Sequence, residues 1–112
     1  MKISKFLEIG FLTFRYTFPL VHYKNKLLAI GGRVYGGDDV SLLKKCEYFD
    51  LELGKWFEMP SMNIERCTCL SFIYKEQLWV VGGYTAYLKR SSMIEKFDFR
   101  ENKWTTLSFR LS

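Results

Sequence analysis

Apolar residues along this chain fall in short runs separated by polar turns. Residues 67–74 read Cys-Thr-Cys-Leu-Ser-Phe-Ile-Tyr, rich in β-branched and aromatic types, and predict a strand. Lys75-Glu76-Gln77 is a polar turn, and Leu78-Trp79-Val80-Val81 is a continuous apolar run ending at Gly82-Gly83. A short run that is apolar on both sides predicts a strand covered on both faces. Further strands are predicted at 93–99 and 103–107, with a turn opening at Glu101-Asn102. The first half gives the same series at 16–23, 26–30, 45–51 and 55–59. No segment keeps an amphipathic 3.6-residue period for ten residues, so helix is not a major element.

The two halves are copies of one unit. A shift of 51 residues lays Arg15 on Arg66, Thr17 on Thr68, Tyr23-Lys24 on Tyr74-Lys75, Leu27 on Leu78 and Gly31-Gly32 on Gly82-Gly83. These are seven identities over 18 positions. A shift of 48 lays Glu47 on Glu95, Phe49-Asp50 on Phe97-Asp98 and Lys55-Trp56 on Lys103-Trp104, five identities over 11. Chance at ordinary composition gives about two matches in the whole set. The change of shift needs a three-residue deletion between the Gly pair and the Glu, within 33–46 against 84–94. Length changes belong in loops, so 33–45 and 84–92 are predicted to be loops and the places where specificity resides.

Four antiparallel strands in a unit of about 50 residues are the dimensions of a propeller blade. The residues also resemble the kelch repeat family. The first copy reads Ala29-Ile30-Gly31-Gly32, Glu47-Tyr48-Phe49-Asp50, Trp56, Met59-Pro60 and then Arg66. The second reads Val80-Val81-Gly82-Gly83, Glu95-Lys96-Phe97-Asp98 and Trp104, with no Met-Pro segment after it. The resemblance covers residues 15 to about 107 and implies an all-β fold: two four-stranded antiparallel blades of a kelch-type β-propeller, incomplete as a single chain. Residues 15–62 form the first repeat and 63–112 the second, with 1–14 a degenerate strand of a preceding blade.

Each repeated residue also has a physical role of its own. Gly31, Gly32, Gly82 and Gly83 allow positive φ and close backbone approach at a strand end. Trp56 and Trp104 offer large apolar surfaces that suit the space between packed blades. Glu47 and Glu95, at one point of each unit, are expected to pair with a neighbouring Arg or with backbone amides. Two blades leave two apolar faces uncovered, since repeat units generally need three or more neighbours. Further blades of a longer chain, a ring of several copies, or a remnant without independent function would each account for that; the first is preferred.

Composition narrows the function classes. The chain has 112 residues, 48% hydrophobic and 26% charged, which makes one globular domain and excludes a disordered one. No apolar run reaches the 18 residues of a membrane span. Lys2, Lys5 and Phe6-Leu7 faintly resemble a signal peptide, but Glu8 breaks the run and no small-residue cleavage site precedes Arg15. Three cysteines close no disulfide framework and fit a reducing, cytoplasmic setting. The net charge is +5, but basic residues cluster no further than Lys44-Lys45 and Lys89-Arg90, so nucleic acid is not an expected partner.

No catalytic, cofactor or metal site is expected. The resemblance includes copper oxidases, whose site needs two histidines, and this chain has one, His22. Cys46, Cys67, Cys69 and His22 lack zinc-knuckle spacing, and buried free cysteine is common in cores. Gly31-Gly32-Arg33-Val34-Tyr35-Gly36-Gly37 lacks the Lys-Ser/Thr of a phosphate loop. The resemblance implies instead a noncatalytic protein-interaction module, of the substrate-recruiting (ubiquitin-ligase adaptor) or cytoskeleton-binding kind. It places the partner site on one rim, at the Arg opening each blade and the residue after Gly-Gly: Arg15, Arg66, Arg33 and Tyr84. Arg offers bidentate contacts to carboxylates, which suits an acidic peptide. The competing role for Arg15 and Arg66 is to pair with Glu or cap strand ends.

Overall fold

The structure is a computed structural model and describes residues 18–36, 39–86 and 89–107. The strand expected within 1–14 and Arg15 lie outside the described residues. Among those described there is no helix. The first repeat supplies β1 (Leu20–Tyr23), β2 (Lys26–Ile30), β3 (Arg33–Gly36), β4 (Asp39–Leu42), β5 (Cys46–Asp50) and β6 (Lys55–Met59). The second supplies β7 (Leu70–Tyr74), β8 (Gln77–Val81), β9 (Tyr84–Ala86), β10 (Lys89–Arg90), β11 (Ile94–Asp98) and β12 (Lys103–Leu107).

Each repeat builds one four-stranded antiparallel sheet, in the orders β1-β2-β5-β6 and β7-β8-β11-β12. The registers repeat as the sequence does. Leu27 faces Phe49, which faces Trp56, and Leu78 faces Phe97, which faces Trp104. The chain therefore forms two four-stranded antiparallel blades, and among the described residues they do not close a ring.

Two expectations are corrected. The segments 33–45 and 84–92 are not plain loops, because each carries a hairpin, β3-β4 and β9-β10. Their strands have two to four residues, too short for an alternation of apolar and polar side chains to show. The second hairpin is the shorter, and its register shifts between Lys89 and Arg90. The strand expected over 67–74 begins only at Leu70. Thr68 takes a left-handed φ of 53°, and Cys67 exchanges both its backbone hydrogen bonds with Tyr84 at 3.0 Å. That bridge removes Cys67 from the sheet.

The main core lies between the blades. Val21, Leu28 and Ile30 of the first meet Leu78, Val80, Phe97 and Trp104 of the second, with Met62 of the linker among them. A smaller cluster of Ala29, Phe49 and Trp56 occupies the other face of the first blade, against Phe18. Burying these side chains, at about 25 cal/mol per Å² of apolar surface, favours stacking of the two blades.

Candidate functional site

The Gly-Gly motifs mark one rim of the pair of blades. Gly31 has φ +59°, and a Cβ there would stand 2.4 Å from the Arg66 carbonyl oxygen. This close approach lets the linker between the sheets dock onto the first blade. The Gly32 N–H donates to the Arg66 oxygen at 2.9 Å, the Arg66 N–H to Leu43 at 3.0 Å, and the Met62 N–H to Lys44 at 2.8 Å. Gly83, at φ +86°, does the same for Cys67, whose carbonyl oxygen lies 2.5 Å from the Cβ position. Arg33 and Tyr84 follow the two glycine pairs, open β3 and β9, and are half-buried.

Arg66 is not on the rim surface. Its side chain is 0% exposed and forms a 2.8 Å ion pair with Glu95, also 0% exposed. Its Nη1 donates to the carbonyl oxygens of Gly82 at 3.0 Å and Met93 at 3.1 Å. The other Glu95 oxygen accepts from the Asn63 N–H at 2.7 Å. Of the two roles open to Arg66, pairing with Glu is the one its geometry supports; burial leaves no guanidinium surface for a partner. Glu47 is buried at the matching point of the first blade. Trp104 fills the inter-blade core and donates its indole N–H to the Pro60 oxygen at 2.7 Å, while Trp56 lies edge-on to Phe49. Both repeated tryptophans are thus core residues.

The opposite rim carries the turns after β1, β5, β7 and β11. Two residues missed in the sequence organise it. The Asp50 Oδ1 accepts from the N–H groups of Glu52 and Leu53, both at 2.9 Å. The Asp98 Oδ1 accepts from Arg100 at 2.8 Å and Glu101 at 3.2 Å. These backbone donors hold the Asp98 carboxyl below the usual carboxylate range. The signal was present: an Asp at the same offset before a polar turn in both copies is an Asx-turn signature.

Between the blades this rim opens into a groove of about 980 Å³. Leu28, Tyr48 and Phe99 line its floor, and Lys26, Lys75 and Arg100 stand at its edges. Tyr23 stacks on Phe99 with centroids 4.1 Å apart and donates its hydroxyl proton to Glu76 at 2.8 Å. Burial, then the bond to Glu76, raises the Tyr23 pKa.

His22 is exposed on β1. Cys46, Cys67 and Cys69 are buried and in no disulfide, and burial pushes the Cys69 thiol up. Among the described residues no three of the His, Cys, Asp and Glu side chains are grouped to hold a metal ion. No helix there is long and apolar enough to cross a membrane.

Comparison with known proteins accords with this geometry. The Kelch motif matches residues 15–63 and 65–108. Kelch repeat and BTB domain-containing protein 8 of Danio rerio is 26% identical over 125 residues, covering 76% of this chain and 21% of its own length. An F-box/kelch-repeat protein of Arabidopsis thaliana is 27% identical over 84 residues, covering 72% of this chain and 21% of its own. The kelch repeat protein M-T8 of Myxoma virus (strain Lausanne) is 26% identical over 87 residues, covering 75% and 16%. The chain therefore spans about a fifth of the length of these relatives.

Proposed function

Because the chain belongs to the kelch repeat family, whose motif covers both of its halves, we propose that it serves as a noncatalytic protein-interaction module. One observation carries this reading. The two sheets match register for register, while the hairpins beyond the Gly-Gly rim differ in length and pairing. A constant scaffold with variable projections is the arrangement of a recognition surface. Arg33 and Tyr84 stand at the base of those hairpins and would contact the partner. An acidic peptide segment suits them, since Arg donates to a carboxylate in a bidentate fork and Tyr adds a rigid amphipathic face. Arg66 would act behind this surface, holding the linker in place.

The relatives named above join kelch repeats to a BTB domain or an F-box. By that analogy the chain would recruit a protein into a larger assembly, as a ubiquitin-ligase adaptor or a cytoskeleton-binding protein does. A cytoplasmic setting fits the three cysteines in no disulfide.

The test is selection of peptides from a random display library on the full chain, repeated with the Arg33→Ala/Tyr84→Ala double variant. A coherent peptide set whose affinity falls about tenfold in the variant supports the reading. Selection of no specific peptide, or of peptides indifferent to both substitutions, overturns it.

A further inference from the structure

The groove between the blades on the turn rim is a separate candidate surface, at the opposite end of the strands from the Gly-Gly motifs. It combines an apolar floor with an excess of positive charge: Lys24, Lys26, Lys75 and Arg100 stand against Glu76 and Asp98. Leu28 is buried beneath it, with Tyr48 and Phe99 beside it. Lys26 rests its ammonium 5.5 Å from the Tyr48 ring centroid, and Lys75 rests its own 5.4 Å from that of Tyr74. An aromatic face orients an ammonium without neutralising it.

The carboxylates of the groove are already engaged. Glu76 accepts from the Tyr23 hydroxyl and lies 4.0 Å from Lys24. Asp98 accepts from two backbone amides and from Gln77. Among the described residues, Lys26, Lys75 and Arg100 form no ion pair with a carboxylate.

We infer that this inter-blade groove binds an acidic peptide segment carrying an apolar residue, with carboxylates on Lys26, Lys75 and Arg100 and the apolar side chain on the Leu28–Tyr48–Phe99 floor. The inference rests on the reading of the chain as a protein-interaction module. A concave apolar floor favours a peptide over a nucleic acid or a membrane surface, either of which would meet the charges and leave the floor unused. The cations would speed encounter and fix register, and the floor would supply most of the affinity.

The test is fluorescence anisotropy of the full chain with a fluorescein-labelled peptide of repeated Glu-Glu-Leu, against the same peptide with every Glu replaced by Gln. Heparin and phosphatidylserine vesicles serve as competitors. The Glu peptide should bind, the Gln peptide at least about tenfold more weakly, and binding should weaken with salt. Lys26→Glu/Arg100→Glu should reduce affinity about tenfold or more, and Lys75→Glu, on an exposed turn, should do so with the far-ultraviolet circular dichroism unchanged. Because the Gly-Gly rim is itself proposed to take acidic peptides, the charge reversals are made in the Arg33→Ala/Tyr84→Ala background, in which the Glu peptide should still bind. No binding of the Glu peptide, indifference to the three reversals, or equal binding of the Gln peptide overturns the inference. Complete displacement by heparin or vesicles at matched charge also overturns it, as it would show a general polyanion surface. Binding lost only in the Arg33/Tyr84 variant overturns the groove and leaves the interaction module standing.

Discussion

Arg66 illustrates how one charged side chain can be worth more to the fold than to a surface. Its guanidinium ties the linker to the end of β8, the start of β11 and the Glu95 carboxylate, out of contact with water. Removing it strands a buried carboxylate whose remaining hydrogen-bond donor among the described residues is the Asn63 backbone N–H. Arg66→Ala should therefore cost about 3–5 kcal/mol of stability in urea denaturation, while replacing Arg66 and Glu95 together with apolar residues of similar volume should cost far less. Equal losses in the single and double variants would show that the pair is not coupled. Sequence reasoning places an Arg at the surface by default, because isolated charges are almost never buried. Only the tertiary partner decides, and the repeated Glu was the hint. Asp98 adds a pH dependence. Its pKa is lower in the fold than in the unfolded chain, so its contribution is complete above the usual carboxylate range and is lost as pH falls through the folded value. Melting temperatures taken from neutral to acidic pH should fall accordingly, and Asp98→Asn should flatten the most acidic part of the profile.

At the scale of the element, the strands were legible because they repeat. The same residues recur at fixed register, and the apolar runs are long enough to be read. The hairpins β3-β4 and β9-β10 were not, since cross-strand pairing in such short segments leaves no periodic trace. Nor was the inter-blade groove, which is built from turns of both repeats and exists only once the sheets are stacked. The glycines separate conformation from contact. Gly54 has φ +66° with nothing within 4 Å of a Cβ, so Gly54→Ala should cost only the left-handed penalty of about 1–2 kcal/mol. Gly31→Ala and Gly83→Ala add a collision with backbone oxygen at 2.4 and 2.5 Å and should each melt well below the Gly54 variant. Three similar melting temperatures would mean that the linker yields easily at both contacts.

Across the whole molecule, stacked units were foreseeable from the repeat, and the main core does span both blades. Neither blade buries its inner face alone, so unfolding by urea should follow one transition in fluorescence and circular dichroism alike. Trp104→Ala should shift that single transition by about 3–5 kcal/mol, affecting both blades. Two separate transitions would show that the blades are independent. The internal symmetry also identifies the face left over. Val21 and Leu28, buried by the second blade, correspond to Phe72 and Trp79 on the outer side of that blade. There Phe72 is 39% and Tyr74 54% exposed, and Phe72 stacks on Trp79. The strand that carries them, β7, is also the last of its sheet, hydrogen-bonded to β8 alone among the described strands. Leu70-Ser71-Phe72-Ile73-Tyr74 bears no charge, and Phe72, Ile73 and Tyr74 are strong β-formers. An edge of that composition is a template for fibrillar aggregation, in which one chain extends the sheet of the next. Lys75, set immediately after it, is a gatekeeper residue of the kind that opposes such growth. Concentrating the chain without a cover for this edge sets folding in competition with self-templated assembly.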